Sequence, residues 1–511
     1  MERTHLRGGA VAGLLAGTAM LLFLVAFRLV LGAPSLLELA ADWFTTVLPP
    51  RAFAFLLDRL LTSAKPLLYV GQVMVVLGLA AGVGALYAHA GARWPRLVRA
   101  AWPSGLALGA GVFLLVGLGL APLMGAGGFG AQAQGGAEPF VVATLVYSLV
   151  FGLTLAHLHR RTVEGPLPGD PSLAEGRRAF LRRAALWAAG LGVVGGGSRL
   201  VLEAMRRSTP SHYAFRPGAM PPAVTPNADV YTVSKNILDP EVDPTTWRLK
   251  VDGLVAQPLS LALEELRGME AVEEYVTLEC ISNPVGGGLI SNARWRGVPL
   301  VRLLERAGVR EGVQRLVFHA TDGYTDTLPL EEARREVVLV AYEMNGEPLP
   351  REHGAPARLL VPGRFGLKSV KWLTRVEATD QREVRGYWQT RGWDDEAQVL
   401  TMSRIDVPAP RARLPLGAAL VGGVAYSGDR GVRRVEVSTD GGRTWTPAAL
   451  EPALSPYTWV LWTAEWGPPA PGGYRLLVRA TDGTGAPQVA EVRDTYPAGA
   501  TGLHRVEVTV Q

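Results

Sequence analysis

The chain holds a single cysteine, Cys280, in 511 residues. It cannot form an internal disulfide, so its thiol is either a small buried hydrophobe or a thiolate that attacks a substrate or binds a metal. The surroundings favour the reactive reading. Tyr275, Val276, Thr277 and Leu278 form a β-rich run that delivers Cys280 to a strand end, after which Ser282, Asn283, Pro284 and Gly286 to Gly288 forbid regular structure. A reactive side chain at a strand end, beside backbone able to approach a ligand closely, is the geometry of a site. About 70 residues on, the stretch HGAPARLLVPGRFGLKSVKWL (353–373) gathers His353, Arg358, Lys368, Ser369 and Lys371. Only five of the 51 basic residues are lysines, and two of those five fall here. Arg358 and Lys371 adjoin apolar runs, where a charge without a partner is costly.

The two blocks together, in this order, resemble the cofactor-binding core of the sulfite oxidase family of molybdopterin enzymes. The resemblance runs from about Asn227 to the C-terminus and leaves the first 200 residues unaccounted for. It implies a Mo-molybdopterin cofactor with Cys280 as the thiolate ligand of molybdenum, a soft donor suited to a metal already held by sulfur. It also implies cofactor contacts at His353, Arg358, Ser369 and Lys371, with Lys368 as a further candidate. The terminal phosphate of the pterin calls for a bidentate fork from Arg358, a point charge from Lys371 and N–H groups of the 366–369 turn. Upstream, YTVSKN (231–236) matches the start of the family's pocket, which makes Tyr231, Ser234, Lys235 and Asn236 candidate ligands. Thr321 and Asp322 end another β-rich run and are candidate pocket residues, although Asp at such a turn also serves as a local cap.

Two departures from the family bear on the substrate. Sulfite oxidases carry arginines shortly after the metal cysteine, whereas here 281–286 reads ISNPVG without a positive charge. In YWQTRGWD (387–394), Trp393 stands where sulfite oxidases place a tyrosine beside the metal, so Trp393 is a candidate catalytic residue. A dianion such as sulfite needs a cationic pocket; only Arg294, Arg296 or Arg391 could build one from further along. The expected substrate is therefore a small neutral or weakly polar oxo-transfer molecule, a sulfoxide or an N-oxide, with sulfite oxidation as the alternative.

The elements that must position these residues follow from composition. With 48% hydrophobic residues and a mean hydropathy of +0.17, part of the chain belongs in a membrane. Stretches 8–31, 66–89, 101–124, 140–158 and 184–202 approach the ~20 apolar residues that span a bilayer. Between the first two, 36–61 reads as amphipathic interfacial helices broken at Pro49-Pro50. Arginines precede the first span (Arg3, Arg7), separate the second from the third (Arg93, Arg96, Arg99) and separate the fourth from the fifth (Arg160, Arg161, Arg177, Arg178, Arg182, Arg183), while 125–139 has no Lys or Arg. Five alternating spans would put all these clusters in the cytoplasm and everything after 202 outside. RRAFLR (177–182) ahead of an apolar segment also resembles a twin-arginine export signal, the route a domain folded around its cofactor would need.

The expected fold is multi-domain: a transmembrane α-helical bundle (1–205), a linker (206–226), a mixed α+β molybdopterin-binding domain (227–403) and an immunoglobulin-like β-sandwich (404–511). Short alternating strands separated by turn chemistry carry the last assignment, and STDGGRTW (438–445) resembles the family's dimerisation domain. Expected partners are membrane lipid, an external electron carrier and a second copy through the C-terminal domain. A net charge of +5 with scattered basic residues leaves no nucleic-acid footprint. Haem is not expected, because His157 and His159 lie two apart on opposite faces of one helix. The competing class is a membrane transporter or sensor whose external domain only binds a ligand; against it, the spans hold few of the internal charges that mark transport paths.

Overall fold

The computed structural model describes residues 2–31, 35–49, 52, 64–98, 100–131, 137–163, 217–236 and 239–511. These fall into two compact units. The N-terminal helices, with Lys235 and Asn236, form the first; residues 217–234 and 239–511 belong to the second.

Among the described residues of the first unit, four helices are long and apolar enough to cross a membrane: His5–Arg28, Leu67–Arg93, Ala101–Leu123 and Ala137–Arg160. They correspond to the first four expected spans, with ends shifted by a few residues. The fifth expected span (184–202) and the Arg177-Arg178 pair lie outside the described residues. Small residues let the helix backbones touch. A Cβ on Gly84 would collide with the Gly9 carbonyl, and one on Gly152 with that of Gly105. Between the first two spans, the helix Leu36–Val47 is started by a capping box in which Ser35 Oγ accepts the Glu38 N–H at 3.1 Å and Glu38 Oε2 accepts the Ser35 N–H at 2.9 Å. It ends before Pro49, as the interfacial reading expects.

The second unit opens with a mixed α+β domain of two five-stranded sheets. The first takes the order β2-β1-β10-β5-β6, from β1 (Arg248–Gly253), β2 (Leu259–Ala262), β5 (Arg315–Ala320), β6 (Thr325–Pro329) and β10 (Leu373–Thr379). Only β1 and β10 run parallel. The second sheet is antiparallel, with β3 (Val272–Glu279), β4 (Ile290–Pro299), β7 (Leu339–Met344) and β8 (Glu347–Pro348) in sequence and β9 (Arg358–Leu360) on β7. Between them the helix Leu300–Ala307 buries Leu300, Leu303, Leu304 and Ala307, the i, i+3, i+4, i+7 stripe its spacing predicts. Gly308, at φ +65°, ends it in the left-handed region that glycine adopts without strain.

Two further sheets pack face to face as a C-terminal β-sandwich. One runs β11-β13-β17-β16, from β11 (Met402–Val407), β13 (Ala419–Tyr426), β16 (Ala449–Leu450) and β17 (Val460–Trp466). The other runs β12-β19-β18-β14-β15, from β12 (Arg413–Leu414), β14 (Val432–Ser438), β15 (Thr446–Pro447), β18 (Gly472–Asp482) and β19 (Arg505–Val510). Ile405, Val421 and Trp462 of the first meet Val435, Leu476, Val478 and Val506 of the second in one core. Strand β11 crosses the expected boundary at 403/404.

The described part of the expected linker, 217–226, is docked. Thr225 donates its N–H to Asn292 O at 2.7 Å and its carbonyl accepts Asn345 Nδ2 at 2.9 Å, while Gly218 N–H reaches Asp406 O at 2.7 Å. Its Pro- and Ala-rich composition rules out regular structure, not ordered structure: Ala223 O also accepts Asn292 Nδ2 at 2.7 Å and Trp459 Nε1 at 3.1 Å.

Candidate active site

Strand β3 carries Cys280, and it is held along both edges. On one side it pairs in continuous register with β4, from Val272↔Gly297 to Glu279↔Ile290. On the other, residues of the sandwich domain close the edge. Tyr457 O accepts the Thr277 N–H at 3.0 Å, Thr277 O accepts Tyr426 Oη at 2.9 Å, and Tyr275 O accepts Ser455 Oγ at 2.6 Å. An edge strand that would otherwise be open is thereby fixed.

The loop after Cys280 is closed by Asn283. Its N–H donates to Cys280 O, its Nδ2 to Glu279 Oε1 and its Oδ1 accepts the Leu289 N–H, all at 2.9 Å. Arg404 Nη1 donates to Gly287 O at 2.7 Å from β11. In sequence Ser282-Asn283-Pro284 reads only as irregular chain; an Asn four residues past a strand end is the signal of such a clamp. Burial pushes the Cys280 thiol up from its ordinary value, while the Ser282 hydroxyl, 3.1 Å from Sγ, and the charge of Lys371 favour the thiolate. Glu279 is buried too, and desolvation lifts its carboxyl to about 7.

The same neighbourhood receives a buried cationic group. Arg358 is 4% exposed, and its guanidinium donates only to backbone carbonyls, His353 O at 3.0 Å and Ser369 O at 2.9 Å, with the Trp295 ring 5.2 Å away. Desolvation brings it down to about 10. Lys371 Nζ donates to Glu352 O at 2.9 Å and lies 4.5 Å from the Trp372 ring centroid; burial lowers it as well. Neither cation forms an ion pair among the described residues. His353 is pushed down to about 3, by burial first and then by Arg358 and Lys371, and so stays neutral. Tyr231 is raised well above its ordinary value by burial, with Cys280 and Arg358 both close enough to act on it. Its hydroxyl lies over Gly366, where a Cβ would come within 2.7 Å of it and 3.4 Å of Glu279 O. The 366–369 turn therefore rests directly on the end of β3.

Cys280, Tyr231, His353, Arg358 and Lys371 are thus brought together. Ser369 joins them through its backbone, while its Oγ accepts the Val361 N–H at 3.0 Å. Thr321 pairs its N–H with Trp372 O at 2.9 Å, and Asp322 Oδ1 accepts the Tyr324 N–H at 3.0 Å, the local cap that competed with a pocket role. Lys368 faces elsewhere: its Nζ contacts Asp326 Oδ1 (2.8 Å), Thr327 O (3.0 Å) and Asp395 Oδ1 (3.2 Å). Ser234 lies in the second unit and is half-buried; Lys235 and Asn236 group with the helical unit. Trp393 is 5% exposed and packs with Ile281, Phe365 and Tyr426 in one cluster, its indole N–H without a hydrogen-bond partner among the described residues. Arg294 and Arg296 are half-exposed and pair with Glu273 at 3.4 and 3.3 Å; Arg296 also reaches Glu343 at 3.9 Å.

Comparison with known proteins identifies the two domains of the second unit. Residues 236–388 match the oxidoreductase molybdopterin binding domain, and 396–510 match the Mo-co oxidoreductase dimerisation domain. Sulfite oxidase of Gallus gallus is 36% identical over 286 residues, 47% of this chain and 62% of that protein. The chain thus spans about three fifths of that relative's length. An uncharacterized oxidoreductase of Bacillus subtilis is 36% identical over 151 residues, 30% of this chain and 74% of its own length. The crystal structure of the sulfane dehydrogenase SoxCD from Paracoccus pantotrophus superposes with a TM-score of 0.50 at 26% identity, covering 56% of this chain and 84% of that one.

Proposed function

Because the chain belongs to the sulfite oxidase family of molybdopterin-dependent oxidoreductases, we propose that it transfers an oxygen atom to or from a small neutral molecule, a sulfoxide or an N-oxide, at a molybdenum centre held by Cys280. The donor set fits the family's cofactor. A buried Arg358 and a half-buried Lys371, neither ion-paired among the described residues, together with a neutral imidazole suit an anionic, phosphate-bearing group. When bound, the cofactor supplies two-electron redox chemistry and the oxygen acceptor. The protein fixes Cys280 through β3 and Asn283, holds anionic groups with Arg358 and Lys371, and shields the site with the cluster around Trp393.

The observation that carries the substrate class is the cost-free deployment of nearby arginines elsewhere. Arg294 and Arg296 are spent on Glu273 and Glu343, and 281–286 adds no charge. The indole N–H of Trp393 can donate to a neutral oxo group, as a sulfoxide or N-oxide oxygen requires. Steady-state assays of sulfoxides and N-oxides with reduced viologen, set against sulfite with an electron acceptor, test this. Saturable reduction of the neutral substrates is expected; efficient sulfite oxidation would overturn the substrate class and direct attention to Arg391. Cys280→Ser should lower turnover by more than about a hundredfold, since even outer-shell partners of metals are worth 10–100-fold; retained turnover would remove Cys280 as ligand.

The four apolar helices support a membrane anchor, with the catalytic unit on the side opposite the arginine-rich loops if 184–202 also spans. Protease digestion of intact spheroplasts tests that placement. External resistance of the catalytic unit would reverse it. An external carrier would exchange electrons with the site, and the region 396–510 would pair two copies.

A further inference from the structure

A second polar centre lies beside the site, around a carboxylate that the chemistry above does not use. Asp326 is fully buried, and five groups converge on it. Oδ1 accepts the Thr327 N–H at 2.7 Å and Lys368 Nζ at 2.8 Å; Gln389 Nε2 stands 3.4 Å from both oxygens; Tyr324 Oη lies 2.9 Å from Oδ2 and equally far from Leu367 O. The fifth group is backbone: a Cβ on Gly386 would come within 2.7 Å of Asp326 Cα, and the Tyr387 N–H donates to Thr325 O at 2.8 Å. Lys368, 1% exposed, uses all three of its donors, on Asp326, Thr327 O and Asp395. Asp395 is in turn held by Arg315 at 2.8 Å.

The members of this cluster come from three places. Asp326 is on β6, Lys368 and Leu367 belong to the turn that rests on Tyr231 and Glu279, and Gln389 and Asp395 bracket the segment that carries Trp393. Segment 386–395 has little regular structure of its own, a three-residue turn of helix at Gln389–Arg391, so its position depends on such ties.

We infer that Asp326 and Lys368 form a latch that joins the 366–369 turn to the Trp393 segment, making Asp326 a positioning residue for the wall of the active site. A buried ammonium with three acceptors has one low-energy arrangement, because moving either segment leaves a charge or a donor unpaired. The wall is thereby tied to the turn, in addition to the Asp394 N–H bond to Pro497 O at 3.1 Å and the apolar packing of Trp393, which by itself tolerates sliding. This inference rests on Trp393 lining the site; its test reads backbone order and is independent of the substrate.

Amide hydrogen exchange of the full-length, cofactor-loaded protein, resolved by peptide, distinguishes a latch from general support. Asp326→Asn should accelerate exchange in 366–369 and 386–395 by at least about tenfold while the strands β13, β17 and β18 keep wild-type protection. Uniform acceleration across the second unit, or no change in the two segments, would overturn the latch. Asp395→Ala is the gentler variant should Asp326→Asn fail to accumulate, since Asp395 is partly exposed and its loss leaves the Asp326–Lys368 pair intact. It should loosen 386–395 alone; unchanged protection there would equally overturn the inference. If the latch holds while neutral oxo substrates are not turned over, the proposed substrate falls and the positioning role stands.

Discussion

Arg358 and Lys368 lie ten residues apart in one block, both cationic and both buried, yet they solve the cost of burial in opposite ways. Lys368 is surrounded by two carboxylates and a carbonyl that together take every proton its ammonium offers. Arg358 has carbonyls and the face of Trp295, and no anion among the described residues. A compensated charge is architecture, since it has nothing left to give a ligand. An uncompensated one is held in place by the fold for an anion the chain does not itself supply. The difference sorts the basic residues of this block into those that position the site and those that take part in it.

The comparison breaks most visibly at Lys368. Lys368→Met should cost about 3–5 kcal/mol of stability, because it leaves Asp326 buried without its cation; denaturant unfolding checks this, and a cost under about 1 kcal/mol would mean that the Asp326–Lys368 pair does not hold the fold together. Arg358→Ala should do the reverse. Removing a buried cation without an ion-pair partner should cost less, about 1–3 kcal/mol for the carbonyls of His353 and Ser369 left unpaired, while the variant's affinity for molybdopterin, read as cofactor content per purified protein, falls by about 10–100-fold. Equal cofactor content in that variant would make Arg358 a packing residue and erase the distinction.

This sorting was the part of the site that the sequence hid. Cys280 at a strand end, the β-rich runs and the stripe of Leu300–Ala307 were legible because each is a local pattern, written within about ten residues. The partners of Lys368 lie 42 and 27 residues away. Those that close the free edge of β3, Ser455, Tyr457 and Trp459, lie about 180 residues downstream. Types and spacing reveal that a charge is present; only tertiary contact reveals whether it is already satisfied. The docked stretch 217–226 follows the same logic, since the groups that order it sit on β4, on β11 and in the turn just after β7.

The smallest effect concerns a histidine that belongs to neither class, half-buried and neutral beside the loop of Cys280. His504 Nδ1 accepts the Ile405 N–H at 3.0 Å, which requires the proton to sit on Nε2, and Gly286, at φ +76°, allows the loop to lie against the ring. Burial, followed by the charge of Arg404, brings His504 down to about 4. A protonated ring would lose its acceptor and gain a charge next to a guanidinium, so the folded state resists the proton that the unfolded chain takes up near 6.5. The sign follows: stability from neutral His504 is complete above the unfolded value and is lost as pH falls from about 6.5 towards 4. His504→Asn can keep the hydrogen bond through Oδ1 and cannot titrate. Between pH 7 and pH 5 the wild type should therefore lose about 1–2 kcal/mol more than His504→Asn, whatever constant penalty the smaller side chain adds at both pH values. Identical acid profiles for the two proteins would show that His504 is protonated without cost, and that Arg404 is turned fully towards Asp406, 3.0 Å away.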